Sequence, residues 1–296
     1  MWRIVDIGGT KISVRISHNN LVAERDGEVL QSVPMTDINS IICHGDGNVY
    51  SDRFMRYCIE NSIPLILCNE KHLPCGMFLA FNQNNLSATR IEDQVKASLP
   101  RKKNAWRQII EAKLRNQAEV LKVLGQKTAG NYLINLSKSV LSGDSSNREA
   151  VGAKVFFQSL YGRDFVRSET DDNVNQLLDY AYTIIRSAIA RGVVSTGLHP
   201  GISVFHSNKI NPYALVDDLM EPFRPIADLE VVKLIKSNPK CELTPSTKKK
   251  LVEIANIVME FGDKNYEFTY AVGLYVQSYY YYLKGKSEYI IFPKKS

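Results

Sequence analysis

The chain has 296 residues, of which 44% are hydrophobic and 23% charged, so it can bury a full core in one large domain or two modest ones. No stretch approaches the roughly 20 uncharged apolar residues that cross a bilayer, and the start MWRIVDIGG lacks the basic and apolar regions of a signal peptide. We therefore expect a soluble, cytoplasmic protein. The five cysteines have no regular spacing, which disfavours both a disulfide framework and a structural zinc site at Cys68, His72 and Cys75.

The net charge of +6 is unevenly distributed. Residues 1–90 carry 8 Lys/Arg against 9 Asp/Glu, whereas residues 91–296 carry 29 against 22. Residues 90–127 alone hold 10 basic and 4 acidic side chains, including Arg101, Lys102, Lys103 and Arg107. Such a stretch predicts a polyanionic partner, because it can neutralise phosphates, although a solvated helix face explains the charge equally well.

The first part of the chain predicts β-structure. Alternating apolar residues indicate strands at 2–7, 11–17, 21–25, 29–33 and 40–43, with Asp26-Gly27 as a hairpin turn. A helix capped by Ser51 follows, with Phe54 and Cys58 on its apolar side. Residues 63–68 predict a buried strand, and residues 73–86 are typical of a loop.

From about residue 88 the apolar period becomes helical. It predicts helices at 104–125, 147–160, 172–196, 211–221, 227–238, 245–261 and 264–284. The expected class is α+β. An N-terminal β-sandwich-like domain with a short helix covers residues 1–75, a linker covers 76–89, and a larger all-α domain covers 90–296.

Several acidic and imidazole residues in the helical part could form a divalent-metal site. Asp218 and Glu221 stand three apart and would share a helix face, with His206 in the loop before them and Glu149 in another helix. Each also has an ordinary explanation. Ser146 to Glu149 fits a capping box, His206 follows apolar residues and could be a core histidine, and Asp217, Asp218 and Glu221 could be surface charges.

A second motif points to different chemistry. The stretch 6–11, Asp-Ile-Gly-Gly-Thr-Lys, matches the phosphate loop of sugar kinases, in which an Asp and glycine amides receive nucleotide phosphates. That fold also needs a second glycine-rich motif and a catalytic Asp in the middle of the chain. Residues 91–296 contain no second glycine-rich loop, so Gly8-Gly9 is interpreted as a turn and the kinase as the alternative function.

The motifs that extend over the whole chain resemble those of the CRISPR adaptation integrase, the CRISPR-associated endonuclease that inserts new spacers, in its type II form. They occur in the order of that family: 61–74 (NSIPLILCNEKHLP), 112–118 (AKLRNQA), 147–150 (NREA), 172–178 (DNVNQLL), 197–201 (GLHPG), His206 and 218–225 (DLMEPFRP). The family also joins an N-terminal β domain that dimerises to a helical catalytic domain.

The resemblance implies a metal-dependent endonuclease that joins DNA 3′-hydroxyl ends to the CRISPR repeat by transesterification. It assigns the Mg²⁺ or Mn²⁺ ligands to Glu149, His206 and Glu221, with Asp218 as an accessory position and Asp217 as surface charge. Many relatives carry Asp where this chain has Glu221, a change that keeps an oxygen ligand. Carboxylate oxygens suit both ions, and one imidazole favours Mn²⁺.

The implied partners are double-stranded DNA with 3′-hydroxyl ends, repeat DNA, a second copy of the chain and the small second adaptation protein. Type II relatives also work beside the effector nuclease and a ring-shaped accessory protein, and no membrane is involved. A non-catalytic DNA-binding scaffold is the third hypothesis. Candidate DNA contacts are Arg101, Lys102, Lys103, Arg107, Lys113, Arg148, Lys154, Arg186 and Arg224.

Overall fold

The computed structural model describes residues 3–69, 74–78, 85–167, 172–205 and 210–295. The described residues of the N-terminal part form eight strands and one α-helix. They are β1 (Arg3–Ile7), β2 (Ser13–Ser17), β3 (Asn20–Arg25), β4 (Glu28–Pro34), β5 (Ile38–Cys43), β6 (Val49–Tyr50), α1 (Asp52–Glu60), β7 (Leu65–Cys68) and β8 (Pro74–Phe78).

These strands form two four-stranded sheets, one in the order β1-β5-β7-β8 and the other in the order β4-β3-β2-β6. β1, β5 and β7 are parallel, whereas β2, β3 and β4 form an antiparallel meander. The turn between β3 and β4 has positive φ at both Asp26 and Gly27, as a type I′ hairpin requires. The predicted hairpin is therefore confirmed.

The first sheet is buried on both faces. Successive side chains of a strand point to opposite sides, so its two faces pack into different cores. Ile41 and Leu65 pack with the second sheet and α1, whereas Ile42 and Ile66 belong to the core of the helical part. Residues 74–78, for which the sequence predicts a loop, pair with β7 as an edge strand. The division of the chain at residues 75 and 90 stays a prediction.

The remainder is mainly helical. Its elements are α2 (Ser87–Lys96), α3 (Leu99–Val123), α4 (Lys127–Ser137), α5 (Arg148–Tyr161), α6 (Asn173–Ser195), α7 (Ala214–Met220), α8 (Arg224–Ser237), α9 (Pro245–Val252), β9 (Val258–Phe261), β10 (Lys264–Glu267), α10 (Phe268–Leu283) and β11 (Lys294–Lys295). The α+β class is confirmed. No helix in the described part of the chain is long and apolar enough to span a membrane.

The predicted helices at 245–261 and 264–284 are wrong at their adjoining ends. Residues 258–261 and 264–267 form a hairpin, and residues 294–295 add a third strand beside β9. In the short run 258–261 one polar residue, Glu260, separates the apolar Met259 and Phe261. Gly262 then has the positive φ that a turn needs. The helical part therefore includes a small sheet.

Candidate metal and DNA site

The centre of the candidate site is Lys113, a buried lysine in the middle of the long helix α3. Its ammonium nitrogen lies 2.7 Å from Oε1 of Glu149 and 2.5 Å from Oε2 of Glu221. Burial opposes the charge, but the carboxylates of Glu221 and Glu149 raise the pKa of Lys113 above its usual value. Two carboxylates from separate elements thus converge on one cation.

Glu149 lies in the first turn of α5, where the sequence allows it to be a capping residue. The capping-box interpretation is wrong, because Asp144 caps this helix instead. The carboxylate of Asp144 accepts the backbone N–H groups of Arg148 and Glu149 at 2.8 and 3.0 Å. Since another residue caps the helix, the Glu149 carboxylate points to Lys113 on α3.

The close approach of α5 to α3 depends on Gly152, which lies one turn after Glu149. A Cβ atom at this position would lie 2.1 Å from Cδ2 of Leu114, the neighbour of Lys113. Such a distance is far below a van der Waals contact, so a side chain here would require the buried Leu114 side chain or the helices themselves to move. Gly152 therefore helps to bring Glu149 within reach of Lys113.

Glu221 begins the 3₁₀ turn Glu221–Phe223 that separates α7 from α8, and its side chain is 8% exposed. Pro222 cannot donate a helical hydrogen bond, so the α7 helix ends at Met220. The turn is held against α3 by Asn116, whose amide donates to the carbonyl of Pro222 at 2.7 Å. This turn directs Glu221 toward Lys113.

Asp218 is fully buried and has other hydrogen-bond partners than Glu221. Its Oδ2 atom accepts the backbone N–H groups of Val204 and Phe205 at 2.7 and 2.9 Å. These two residues immediately precede His206, which lies outside the described residues. The carboxylate of Asp218 therefore fixes the chain that leads to His206.

Asp217 is not a plain surface charge. Its Oδ1 atom lies 2.8 Å from Nε of Arg186, and its Oδ2 atom accepts a hydrogen bond from the amide of Asn211 at 2.7 Å. The guanidinium of Arg186 also lies over the ring of Tyr213. Asp217, Asp218 and Glu221 lie within five positions of the sequence, yet each has a different set of partners.

Behind Glu221 lies a network that sequence reasoning missed. Nε of Arg224 donates to Oε1 of Glu221 at 2.8 Å, and the guanidinium lies over the ring of Tyr182. The hydroxyl of Tyr182 donates to the buried carboxylate of Asp228 at 2.6 Å, and Arg167 covers the same ring. Burial raises the pKa of Asp228 to about 7, although Tyr182, Arg224 and Arg167 oppose that shift. Asp228 stands four residues after Arg224, a helical spacing that gives a weak sequence signal.

The predicted DNA contacts fall into two groups, those with described partners within the fold and those described by their exposure. Arg101 donates to the carbonyl oxygens of Tyr282 and Ser287, and Arg107 bonds Asn104 and Glu111, so both guanidinium groups have partners within the fold. Arg186, Arg224 and Lys113 have the acidic partners described above, and Arg148 is half-buried. Lys102 is half-buried, whereas Lys103 and Lys154 are exposed.

The described residues contain no group of three or more His, Cys, Asp or Glu side chains arranged to hold a metal ion. Glu149 and Glu221 supply two oxygen donors, and the third predicted ligand, His206, is among the residues that are not described. His72 is also outside the described residues, as is the side chain of Cys75. Cys68 is half-buried.

The Asp-Ile-Gly-Gly-Thr stretch forms a second polar cluster, between the N-terminal sheet and the helices. Oδ1 of Asp6 contacts Nε2 of His44, Oδ2 accepts the hydroxyl of Tyr180, and the ammonium of Lys248 lies 2.9 Å from Nε2 of His44. Burial opposes ionisation, but His44 and Tyr180 lower the pKa of Asp6. The carboxylate that a kinase would direct at nucleotide phosphates is therefore occupied by protein groups.

Comparison with known proteins places this chain in a family. The family model "CRISPR associated protein Cas1" matches residues 7–151 and 158–253. The chain is 33% identical over 280 residues to the CRISPR-associated endonuclease Cas1 of Neisseria meningitidis, covering 94% of this chain and 91% of that protein. It is 25% identical over 232 residues to a CRISPR-associated endonuclease Cas1 of Saccharolobus solfataricus, covering 76% and 72%.

Solved structures show the same fold. A casposase bound to its integration product superposes with a TM-score of 0.82 at 21% identity, covering 97% of this chain and 92% of the other. A CAS1 protein from Thermotoga maritima gives a TM-score of 0.75 at 15% identity, covering 95% and 97%. A Cas6-RT-Cas1–Cas2 complex gives 0.77 at 15% identity, covering all of this chain and 36% of the other. The family model and the Neisseria relative together show that this chain belongs to the Cas1 family of CRISPR-associated proteins.

Proposed function

We propose that this protein is a metal-dependent DNA endonuclease and integrase that joins DNA 3′-hydroxyl ends to CRISPR repeat DNA by transesterification. Glu149, His206 and Glu221 bind Mg²⁺ or Mn²⁺ in this proposal. The observation that carries it is the convergence of Glu149 and Glu221 on one cation from elements that are 72 positions apart in the chain. The relatives named as endonucleases support the reaction class.

The donor set fits a hard divalent cation. Carboxylate oxygens are the ligands that Mg²⁺ and Mn²⁺ prefer, and the ammonium of Lys113 already marks the point between the two carboxylates as favourable for positive charge. When bound, the metal supplies Lewis acidity to a phosphate oxygen of the DNA. Water in place of the 3′-hydroxyl gives hydrolysis at the same site.

The neighbouring residues orient these ligands. Arg224 holds one oxygen of Glu221 and is itself fixed against Tyr182, so the other oxygen keeps a defined direction. Asp218 acts as a positioning residue rather than a ligand, because its Oδ2 atom holds the two backbone amides that precede His206. In this role it fixes the backbone that immediately precedes His206.

DNA reaches the site along exposed basic side chains in this proposal. Lys103 packs against Gly143, in the turn that precedes the cap of α5, so it lies near the helix that carries Glu149. The exposed Lys103 and Lys154, and after them the half-buried Lys102, are therefore better candidates for phosphate contacts than the arginines with partners inside the fold. Recognition by phosphates and DNA shape suits a fragment of arbitrary sequence.

The proposed partners follow from the relatives. The structural neighbours include complexes of Cas1 with Cas2, so we propose a homodimer that binds the small second adaptation protein. The type II effector nuclease and the ring-shaped accessory protein complete the expected set. Membership of the Cas1 family and the occupied carboxylate of Asp6 argue against the sugar kinase.

An integration assay tests the proposal. Purified protein, its small partner and a 3′-hydroxyl duplex are incubated with repeat DNA and Mn²⁺, and joined products are counted for the parent chain and for Glu149→Ala and His206→Ala. Both variants are expected to bind DNA but not to join it. Strand transfer that survives the combined loss of Glu149 and Glu221 would contradict the site. DNA binding without any joining by the parent chain would favour the scaffold hypothesis, and ATP consumption that depends on Asp6 would favour the kinase.

A further inference from the structure

The ion pairs of the candidate site are balanced without a metal. Lys113 contacts one oxygen of Glu149 and one of Glu221, and Arg224 contacts the other oxygen of Glu221. These four side chains carry two negative and two positive charges. All four side chains are less than a third exposed, so water screens their charges poorly.

A divalent cation at these carboxylates would change that balance to +2. Lys113 already contacts two of the four carboxylate oxygen atoms, and Arg224 contacts a third. Like charges a few ångströms apart in a poorly hydrated site repel strongly. The ammonium and the metal are therefore alternatives for the space between Glu149 and Glu221.

Lys113 is the member of the cluster that can move. A lysine ammonium is a point charge on a flexible four-carbon chain, whereas a guanidinium is planar and held in a fixed direction. Arg224 is fixed further by its position 4.7 Å from the centroid of the Tyr182 ring. When positive charge enters the site, the side chain of Lys113 can turn toward an incoming phosphate.

We propose that Lys113 competes with the divalent metal for the two carboxylates and thereby makes metal binding depend on DNA. The inference rests on the proposed function of this site. A phosphodiester brings one negative charge, so bound DNA lowers the net charge of the metal-loaded site from +2 to +1. By linkage, DNA raises the affinity for metal by the same factor by which the metal raises the affinity for DNA.

Mn²⁺ binding, followed by the electron paramagnetic resonance signal of the free ion, tests this inference. The parent chain is titrated with and without a duplex whose 3′ ends are dideoxy-terminated, so that no turnover occurs. This duplex supplies the phosphodiester charge alone. We expect it to raise the Mn²⁺ affinity of the parent chain roughly tenfold, within the usual range for coupled binding sites.

The decisive variant is Lys113→Met, which keeps the length of the side chain and removes its charge. Without DNA it is expected to bind Mn²⁺ roughly tenfold more tightly than the parent, and DNA is expected to add about threefold or less. The matched control is Lys122→Met on the same helix, since Lys122 pairs only with the exposed Glu119 among the described ion pairs. This control should behave as the parent chain does.

Mn²⁺ affinity of Lys113→Met that equals or falls below that of the parent would overturn the inference. If this variant does not melt cooperatively, the parent chain decides, because equal Mn²⁺ affinities with and without the duplex also overturn it. Glu149→Gln separates the inference from the proposed function. If Glu149→Gln still binds Mn²⁺, the metal site itself is misassigned. If Glu149→Gln loses Mn²⁺ binding while Lys113→Met binds Mn²⁺ with the affinity of the parent chain, only the role of Lys113 is wrong.

Discussion

Two buried polar clusters of this protein contain similar groups but have different properties. In the cluster around Lys113, two carboxylates face one ammonium, and Arg224 holds one of them from behind. In the cluster around Asp6, one carboxylate is surrounded by His44, Tyr180 and Lys248. The first cluster joins α3, α5, the 3₁₀ turn and α8 of the helical part, and the second joins the N-terminal sheet to helices α6 and α9.

The difference teaches that the ratio of carboxylates to donors decides what a cluster can bind. Two carboxylates that meet at one cation direct oxygen lone pairs at a common point, which suits either the ammonium or a divalent cation. One carboxylate with several donors is already satisfied, so it stabilises the contact between elements and offers little to a ligand. The glycine-rich motif beside Asp6 therefore resembles a phosphate loop in sequence without the matching environment.

The largest expected effect separates the two clusters by activity. Glu149→Gln should lower the rate of strand transfer by roughly a thousandfold or more, because a proposed metal ligand worth several kcal/mol to the transition state is lost. Asp6→Asn should change that rate by less than about threefold, since Asp6 lies outside the candidate site. Rates of product formation with Mn²⁺ measure both, and a comparable loss in Asp6→Asn would show that the clusters are coupled.

A smaller effect is expected at Asp218. Asp218→Ala leaves the amides of Val204 and Phe205 without their acceptor and lets His206 shift, which should lower strand transfer by roughly a hundredfold. Asp218→Asn keeps a side-chain oxygen at that place and should retain activity within about tenfold of the parent. Single-turnover kinetics distinguish the two variants. Equal losses in both would instead indicate that the charge of Asp218 acts on the metal.

The Asp6 cluster should appear in stability. Asp6→Asn is expected to lower the free energy of unfolding at pH 7 by about 2 kcal/mol, because it disrupts a largely buried charged contact. The folded-state pKa of Asp6 is depressed, so its contribution is present above the unfolded value of about 4 and is lost as the pH falls through the folded value. Urea unfolding of both chains at pH 7 and at pH 3 measures this. A difference that is as large at pH 3 as at pH 7 would contradict an ionic role.

The smallest expected effect is a pH dependence at Asp228. Its folded-state pKa is raised to about 7, so its contribution to stability is fully present below the unfolded value of about 4 and declines as the pH rises through about 7. Asp228→Asn removes this titration and keeps an acceptor for Tyr182. Between pH 6 and pH 8 the parent should lose on the order of 1 to 2 kcal/mol more stability than the variant. Parallel urea curves for the two chains over this range would rule out the assignment.

The local features of the chain were readable from the sequence where the signal is short-ranged. The hairpin at Asp26-Gly27, the Ser51 cap and most helices follow from turn chemistry and apolar period, which act between near neighbours. The hairpin at 258–267 was missed, because short apolar runs fit helix and strand equally well. The capping of α5 by Asp144 was missed as well, since it uses left-handed backbone at Asp144 and Asn147 that the spacing of Glu149 does not reveal.

The sequence by itself determined the class of the fold, the family motifs and the identity of the acidic residues in the candidate site. The sequence predicts Lys113 to be a DNA contact. Its position three and four residues after Ile110 and Ile109, on the apolar face of its helix, indicates instead that it is buried. Only the tertiary structure decided that Glu149 and Glu221 meet on Lys113, that Asp218 holds the chain before His206, and that Asp6 is enclosed by His44 and Tyr180. Backbone propensities act over a few residues, whereas burial and charge pairing depend on which distant elements the packed core brings together.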